Sequence, residues 1–351
     1  MSTPDTPFYP MTHDDALALI AALNAFAPGL ATSQQRGFMA PKPYINGGVI
    51  GDADDEIEGL MTPALVKAIM ELQAIPHNYA YDGRNLKEIF DTAADFAAAV
   101  RAGDFSQIRV GDYWPLTLSG SFKDYAVNET KTLSSAVFKM EVGSINPYWK
   151  YGDSGDLTSG IPHIGLISRN LLPFNIQFRS ANTTWYDSNA DNPWLGSHLY
   201  QSLNNPSDGL IKIVAASELG AYIYAGPNAK GMRHLMETKG PSATTATGWG
   251  WKDRGKLILL HEKEIWGNVT WAEIAYGIGA TGGALQWDIF RGSRRHIVKG
   301  LGNGGSRYSW WCECSYAGTS GNICCTCYYG LPYTTGAANT WVSVPLCFLL
   351  A

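Results

Sequence analysis

The stretch from Ser306 to Trp341 constrains the chain more than any other. Of its 36 residues, 25 are Ser, Tyr, Cys, Gly, Thr or Asn, and Arg307 and Glu313 are its only charged side chains. From Cys312 to Thr340 no alternation of apolar and polar residues persists, which argues against a strand with one buried face and one wetted face. Five of the six cysteines (Cys312, Cys314, Cys324, Cys325 and Cys327) fall inside this stretch, and Cys347 lies beyond it. A disulfide framework spreads its cysteines to staple distant loops. The first 30 residues show no basic stretch followed by an apolar run, so no secretory signal and no oxidising compartment are expected. The C-x-C and C-C-x-C spacings also lack the C-x2-C knuckles of zinc sites. No metal and no cofactor are therefore expected, and the thiols read as individually dispensable.

The rest of the chain supplies bulk and excludes several classes of partner. Its 351 residues suffice for two domains. A net charge of −5 without a dense basic stretch argues against nucleic acid as a partner. The longest apolar tail, Val344 to Ala351, is too short to enter a bilayer, so no membrane insertion is expected. Charged residues make up 16% against about 25% in an average domain, while aromatics reach 12%. Such a surface makes contact through rings and small polar groups.

Residues 1–104 read as a helical and extended region. Thr12 and Asp15 open a helix that Pro28-Gly29 stops, and Thr62-Pro63 opens a second along Leu65, Ile69 and Leu72. Between them runs a Gly, Pro and Asp-rich connector whose acidic run, Asp52 to Glu58, has the look of a solvated charge run. A third helix is predicted over Asn85 to Ala102, with Leu86, Ile89, Phe90, Ala93, Phe96, Ala97 and Val100 as its apolar stripe. These helices are too short and separated to close a core alone. The region is therefore expected to anchor and oligomerise the chain.

Beyond Phe105 the pattern changes to short strands and many turns. Ile108 to Trp114, Ile161 to Ser168, Phe174 to Phe178, Ile211 to Ala215 and Lys256 to Leu260 read as strands. Helices are predicted from Asn192-Pro193 through Leu203 and from Thr270 through Ile278. Because strands and helices do not alternate as in a doubly wound sheet, the fold class is α+β. The seven histidines are scattered and form no H-E-x-x-H. Gly277 to Gly282 has dinucleotide-site glycine spacing but follows a predicted helix, which removes its mechanism. No enzyme activity is expected from these motifs.

Several segments, in order, carry a family likeness over residues 104–351. They are Asp104-Phe105 through Ile108 to Trp114, Trp185-Tyr186-Asp187-Ser188 to Asn204, Lys256 to Leu260 with Glu264-Ile265-Trp266-Gly267, and Gly304 to Arg307 through Trp310-Trp311 to Phe348. Together they resemble a domain of bacteriophage and prophage structural proteins. The resemblance implies a C-type-lectin-like domain over residues 105–351, of the formylglycine-generating-enzyme type, with small twisted antiparallel sheets, two helices and long loops. Relatives of this kind carry asparagine-rich runs where this chain has Tyr, Ser, Cys, Gly and Thr. That replacement is similar to adenine-specific mutation of AAC codons, as in the variable proteins of diversity-generating retroelements. Residues 306–341 would then be a hypervariable segment and its cysteines by-products of randomised codons.

The implied function is host adhesion by a virion protein, made in the bacterial cytoplasm and displayed on the tail or capsid as a homotrimer. Its N-terminal region would attach to other virion proteins. The expected contact residues for a host-cell surface protein or glycan are Tyr308, Ser309, Cys312, Cys314, Ser315, Tyr316, Cys325, Cys327, Tyr328, Tyr329, Tyr333, Thr334 and Trp341. Tyr and Trp bring contact area at low side-chain entropy, and Ser, Gly and Asn bring adaptable hydrogen bonds. Trp310, Trp311, Val344, Pro345, Phe348 and Leu349 are expected to be the supporting core. One alternative is an invariant head-decoration or baseplate component in which the domain only packs against neighbours. Another is a copper-dependent thiol oxidase that pairs Cys312 or Cys314 with Cys324, Cys325 or Cys327, although only Arg307 lies near in sequence to activate a thiol.

Overall fold

Two sheets meet at the C-terminal strand, and most of the architecture follows from that junction. The computed structural model describes residues 82–151, 156–181, 194–224, 233–237, 249–271, 286–291, 295–316 and 321–351. The first two predicted helices, the connector with its acidic run and the helix from Thr270 through Ile278 lie wholly or mainly outside these residues.

After a 3-10 turn at Leu86–Glu88 come α1 (Ala93–Ala102), β1 (Tyr113–Asp124), β2 (Glu129–Ile145), α2 (Asp156–Ser159), β3 (Ile164–Leu171), α3 (His198–Asn204) and α4 (Leu210–Ala215). Then follow β4 (Arg233–Glu237), β5 (Trp249–Asp253), α5 (Glu262–Trp266), β6 (Lys299–Gly300), β7 (Arg307–Ser315), β8 (Asn322–Thr326), β9 (Pro332–Gly336), β10 (Val342–Ser343) and β11 (Pro345–Leu350). The first sheet has the order β1-β2-β3-β11 and is antiparallel throughout. The second has the order β10-β7-β8-β9, with β6 beside β7. Its β10–β7 pair is parallel, a departure from the all-antiparallel sheets expected. β4 and β5 form a separate hairpin. The fold is mixed α+β.

Val344 alone separates β10 from β11, so the chain passes from one sheet directly into the other. All six residues of β11 are buried, and alternate side chains enter different cores. Leu346, Phe348 and Leu350 join a cluster with α1, α3, α4 and one face of the β1–β2 hairpin, while Cys347 and Leu349 join a second cluster with Trp287, Trp310 and Leu260. A strand covered on both faces needs no polar alternation. In the second cluster the Trp287 ring lies flat against Gly143 and Gly165, where any β-carbon would come within 2.5 Å of it.

Several expectations are corrected. The third predicted helix breaks in two: Asn85 caps the 3-10 turn, and Thr92 with Asp95 forms a capping box that restarts the chain as α1. Its face of Phe96, Ala97 and Val100 is buried in this same chain, and Phe96 stacks on Trp114 at 5.3 Å. α1 therefore leaves no apolar stripe for a neighbouring copy. Residues 1–80 and 81–351 form two compact units.

Residues 108–112 form turns, and the strand begins at Tyr113. Ile211–Ala215 lies within α4, where burial of Leu210, Ile211, Ile213 and Val214 overrides the strand preference of a β-branched run. Residues 174–178 and 256–260 belong to no strand and make no ladder. Ile176 donates to Val342 O at 3.0 Å; Ile258 donates to Cys347 O at 2.9 Å, and Glu313 donates to Leu260 O at 3.1 Å. The 256–260 segment thus bridges the two sheets. The helix predicted from Asn192 starts only at His198, where Ser197 Oγ caps it by accepting from Tyr200 N at 2.9 Å.

Candidate functional site

The segment read as one continuous contact face divides at Cys327. Before it, β7 and β8 are interior strands of the second sheet. Trp310, Trp311, Cys312, Cys324 and Cys325 are fully buried, and Ser309, Glu313 and Cys314 nearly so. Ser309, Cys312, Cys314 and Cys325 are consequently not contact residues in this structure. Their strands lie between the two cores, so the missing alternation marks burial on both faces instead of exposure. Ser315 closes β7 opposite Ile323. All six cysteines are free. Burial pushes the Cys312 and Cys324 thiols well up and raises Cys325 too, far from an activated thiolate.

After Cys327 the chain turns outward. Cys327 donates to Leu331 O at 2.9 Å and Gly330 donates back to Cys327 O at 2.8 Å, which closes a tight turn with Tyr328 and Tyr329 at its tip. Gly330 has φ +77°, and a β-carbon there would lie 2.9 Å from Val298 Cγ2, so the turn needs glycine. Tyr328 and Tyr329 are 47% and 57% exposed, with ring centres 4.1 Å apart. Tyr333 on the edge strand β9 is 47% exposed and faces the 40% exposed Trp341 at 6.3 Å. Leu331, 40% exposed, lies between them in sequence. No charged side chain occurs from Cys327 to Trp341.

Two indoles bolt this edge to the body. Trp266, at the end of α5, donates from Nε1 to Gly330 O at 3.2 Å, and Trp271 donates from Nε1 to Pro332 O at 3.2 Å. Trp271 is itself exposed and meets Tyr316 edge-on at 5.9 Å. Asn339 fixes the other flank by accepting from Trp341 N at 2.9 Å and donating to Thr335 Oγ1 at 2.8 Å. The exposed rings therefore stand on hydrogen-bonded backbone.

Of the remaining expected contacts, Tyr316, Cys327 and Thr334 are half-buried at the margin. Tyr308 is half-buried away from the tip, where its hydroxyl donates to Asn175 Oδ1 at 2.7 Å. The predicted core residues Trp310, Trp311, Val344, Pro345, Phe348 and Leu349 are all buried. Sequence reasoning missed Leu331 and Trp271. Leu331 is the one large aliphatic side chain after Ile323 in the stretch, but Trp271 is distant in sequence and nothing there signals its position.

Beneath the face lies a buried polar network. Arg254 is fully buried among Glu264, Glu313 and the Tyr148 hydroxyl, with Glu264 Oε2 at 3.3 Å. Burial raises the Glu264 carboxyl, and Arg254 works against that rise. Glu313 is thus an internal ion partner and presents no charge to a ligand.

The described histidines with placed side chains also have structural partners. His261 caps α5, His198 accepts from Ser180 N at 3.2 Å, and His296 lies 3.3 Å from Glu141. His163 sits between the Tyr148 amide and the Ile161 carbonyl. No helix among the described residues is long and apolar enough to cross a membrane. No protein-family model matches the chain, and no curated protein or solved structure is significantly similar to it.

Proposed function

We propose that the chain is a phage virion surface protein of receptor-binding type. Its C-type-lectin-like body presents Tyr328, Tyr329, Tyr333 and Trp341, with Tyr316, Cys327 and Thr334 at the margin, to a protein or glycan on the host cell. The observation that supports this reading best is the exposed, uncharged cluster of aromatic rings held on an edge strand by Trp266 and Trp271. Aromatic anchors on a rigid support are the usual source of binding hot spots. Such rings cost little entropy to immobilise. The N-terminal region attaches the protein to other virion components, and display as a trimer lets weak contacts add through effective concentration.

The test is binding of the full chain to host cells, with Tyr329→Ala and Tyr333→Ala combined. Loss of about 10-fold or more in affinity, with unchanged circular dichroism, is the expected result. Wild-type binding by that double variant would remove the face from the proposal. The coding DNA supplies a separate check: a near-copy of the 306–341 segment differing at adenines, beside a reverse-transcriptase gene, is the expected arrangement. If the segment proves constant among clones of one virus while the body varies, diversification is wrong.

A further inference from the structure

The mechanism of adhesion makes no use of three buried side chains that the fold brings together from α5, β7 and β8. Glu262 opens α5, Cys314 lies near the end of β7 and Cys324 lies in the middle of β8. One carboxylate oxygen and the two sulfurs all lie within 4.8 Å of one another. Glu262 and Cys324 are fully buried and Cys314 is 8% exposed. A carboxylate and two thiols are a poor choice for filling an apolar core, because burying an ionised carboxylate is costly unless it is compensated. They are a good choice for a borderline-soft cation, which takes thiolate and carboxylate ligands in tetrahedral geometry.

The carboxylate is already oriented. Glu262 Oε2 accepts from Thr270 N at 3.0 Å and from Trp271 N at 2.9 Å, the kind of outer bonding that fixes a metal ligand. Cys314 Sγ also lies within hydrogen-bonding reach of the Cys324 thiol and of the Glu262 amide. Metal–sulfur bonds of about 2.3 Å and metal–oxygen bonds of about 2.0–2.2 Å need ligand separations of about 3.4–3.8 Å. Since no pair is more than 4.8 Å apart, closing to those separations takes at most about 1.4 Å of approach.

We propose that Glu262, Cys314 and Cys324 form a site for one thiophilic divalent cation, Zn2+ in first place, with the fourth position taken by water. Binding forms two metal–sulfur bonds and one metal–oxygen bond and releases the two thiol protons to solvent, with no change of oxidation state. The ion ties the β7–β8 hairpin to α5. Through the two amides on Glu262 it also steadies the segment that carries Trp271, beneath the exposed rings. The site does not depend on the adhesion proposal, and either can fail without the other.

The test uses the purified full chain, stripped with a chelator and titrated with Co2+ and then Zn2+. One equivalent of Co2+ is expected to give tetrahedral ligand-field bands and a thiolate-to-cobalt charge-transfer band, both erased by Zn2+. Glu262→Gln is expected to weaken binding by about 10-fold or more, and Cys314→Ser and Cys324→Ser to abolish the charge-transfer band. Cys325→Ser binds as wild type, because consecutive strand residues point to opposite faces. In the unsubstituted protein, Zn2+ is expected to shield Cys314 and Cys324 from alkylation, which needs no variant to fold. Folded protein without a charge-transfer band, alkylation of both thiols at an unchanged rate, or equal loss in Cys325→Ser would overturn the site.

Discussion

Residues 309–326 and 327–341 both draw about two thirds or more of their residues from Ser, Tyr, Cys, Gly, Thr and Asn, and meet opposite fates. The first group supplies two interior strands whose tryptophans and thiols fill both cores, and the second supplies a turn and an edge strand whose rings face outward. Tyr, Cys, Ser and Thr are small or amphipathic enough to satisfy either environment. What separates the halves is topology: β7 has neighbours on both sides and both faces, whereas β9 ends the sheet. Variation tolerated in one half is thus expected to be damaging in the other, although both are rich in the same small polar and aromatic residue types.

The largest effect that would break this contrast belongs to Trp311. It is fully buried, donates from Nε1 to Ile176 O at 2.7 Å and meets Phe178 at 5.7 Å. Trp311→Ala is expected to cost about 3–5 kcal/mol in chemical denaturation. A cost within the range of a surface substitution would mean that β7 is not interior and that the two halves are alike.

A second effect, about 3 kcal/mol, concerns pH and the body that supports both halves. His163 Nε2 accepts from Tyr148 N at 3.0 Å while Nδ1 lies 2.9 Å from Ile161 O, so Nδ1 carries the proton and the ring is neutral. Burial lowers its pKa from 6.5 to about 4. A depressed folded-state value gives stability that is present above pH 6.5 and lost as pH falls toward 4. Denaturation midpoints measured between these limits should fall less steeply in His163→Gln than in the wild type. Equal slopes would show that His163 does not titrate with unfolding.

Much of this organisation was legible in the residues, and the failures have physical causes. The apolar spacing of Ala93, Phe96, Ala97 and Val100 marked the buried face of α1, and the apolar run at the C-terminus is buried as expected. Ile211 to Ala215 misled because a β-branched run reads as a strand until the surface it packs on is known. Cys312, Cys314 and Cys325 misled for a related reason: loss of alternation is shared by exposed loops and by strands covered on both faces. Glu262 joins Cys314 and Cys324 only in three dimensions, so spacing rules drawn from contiguous knuckles had no means of finding it.

A third effect, of about 1–2 kcal/mol, falls at the hinge between the halves. Gly330 holds φ +77° with Val298 close above it, and Gly330→Ala forces a side chain into a left-handed turn. The expected result is that modest destabilisation together with weaker cell binding, since Tyr328 and Tyr329 sit on the same turn. Full binding with reduced stability would show that the tip need not be rigid.

The smallest stability effect is the most informative about function. Tyr329 and Tyr333 are both largely exposed, and Tyr329 touches only its neighbour among the described ring contacts. Their replacement by alanine is expected to change stability by less than about 0.5 kcal/mol each, as for ordinary surface positions. A protein that folds as before and loses its hold on the cell separates support from contact within a single stretch of chain. If instead these substitutions destabilise as Trp311→Ala does, the outward half is structural too, and the rings serve packing within the protomer.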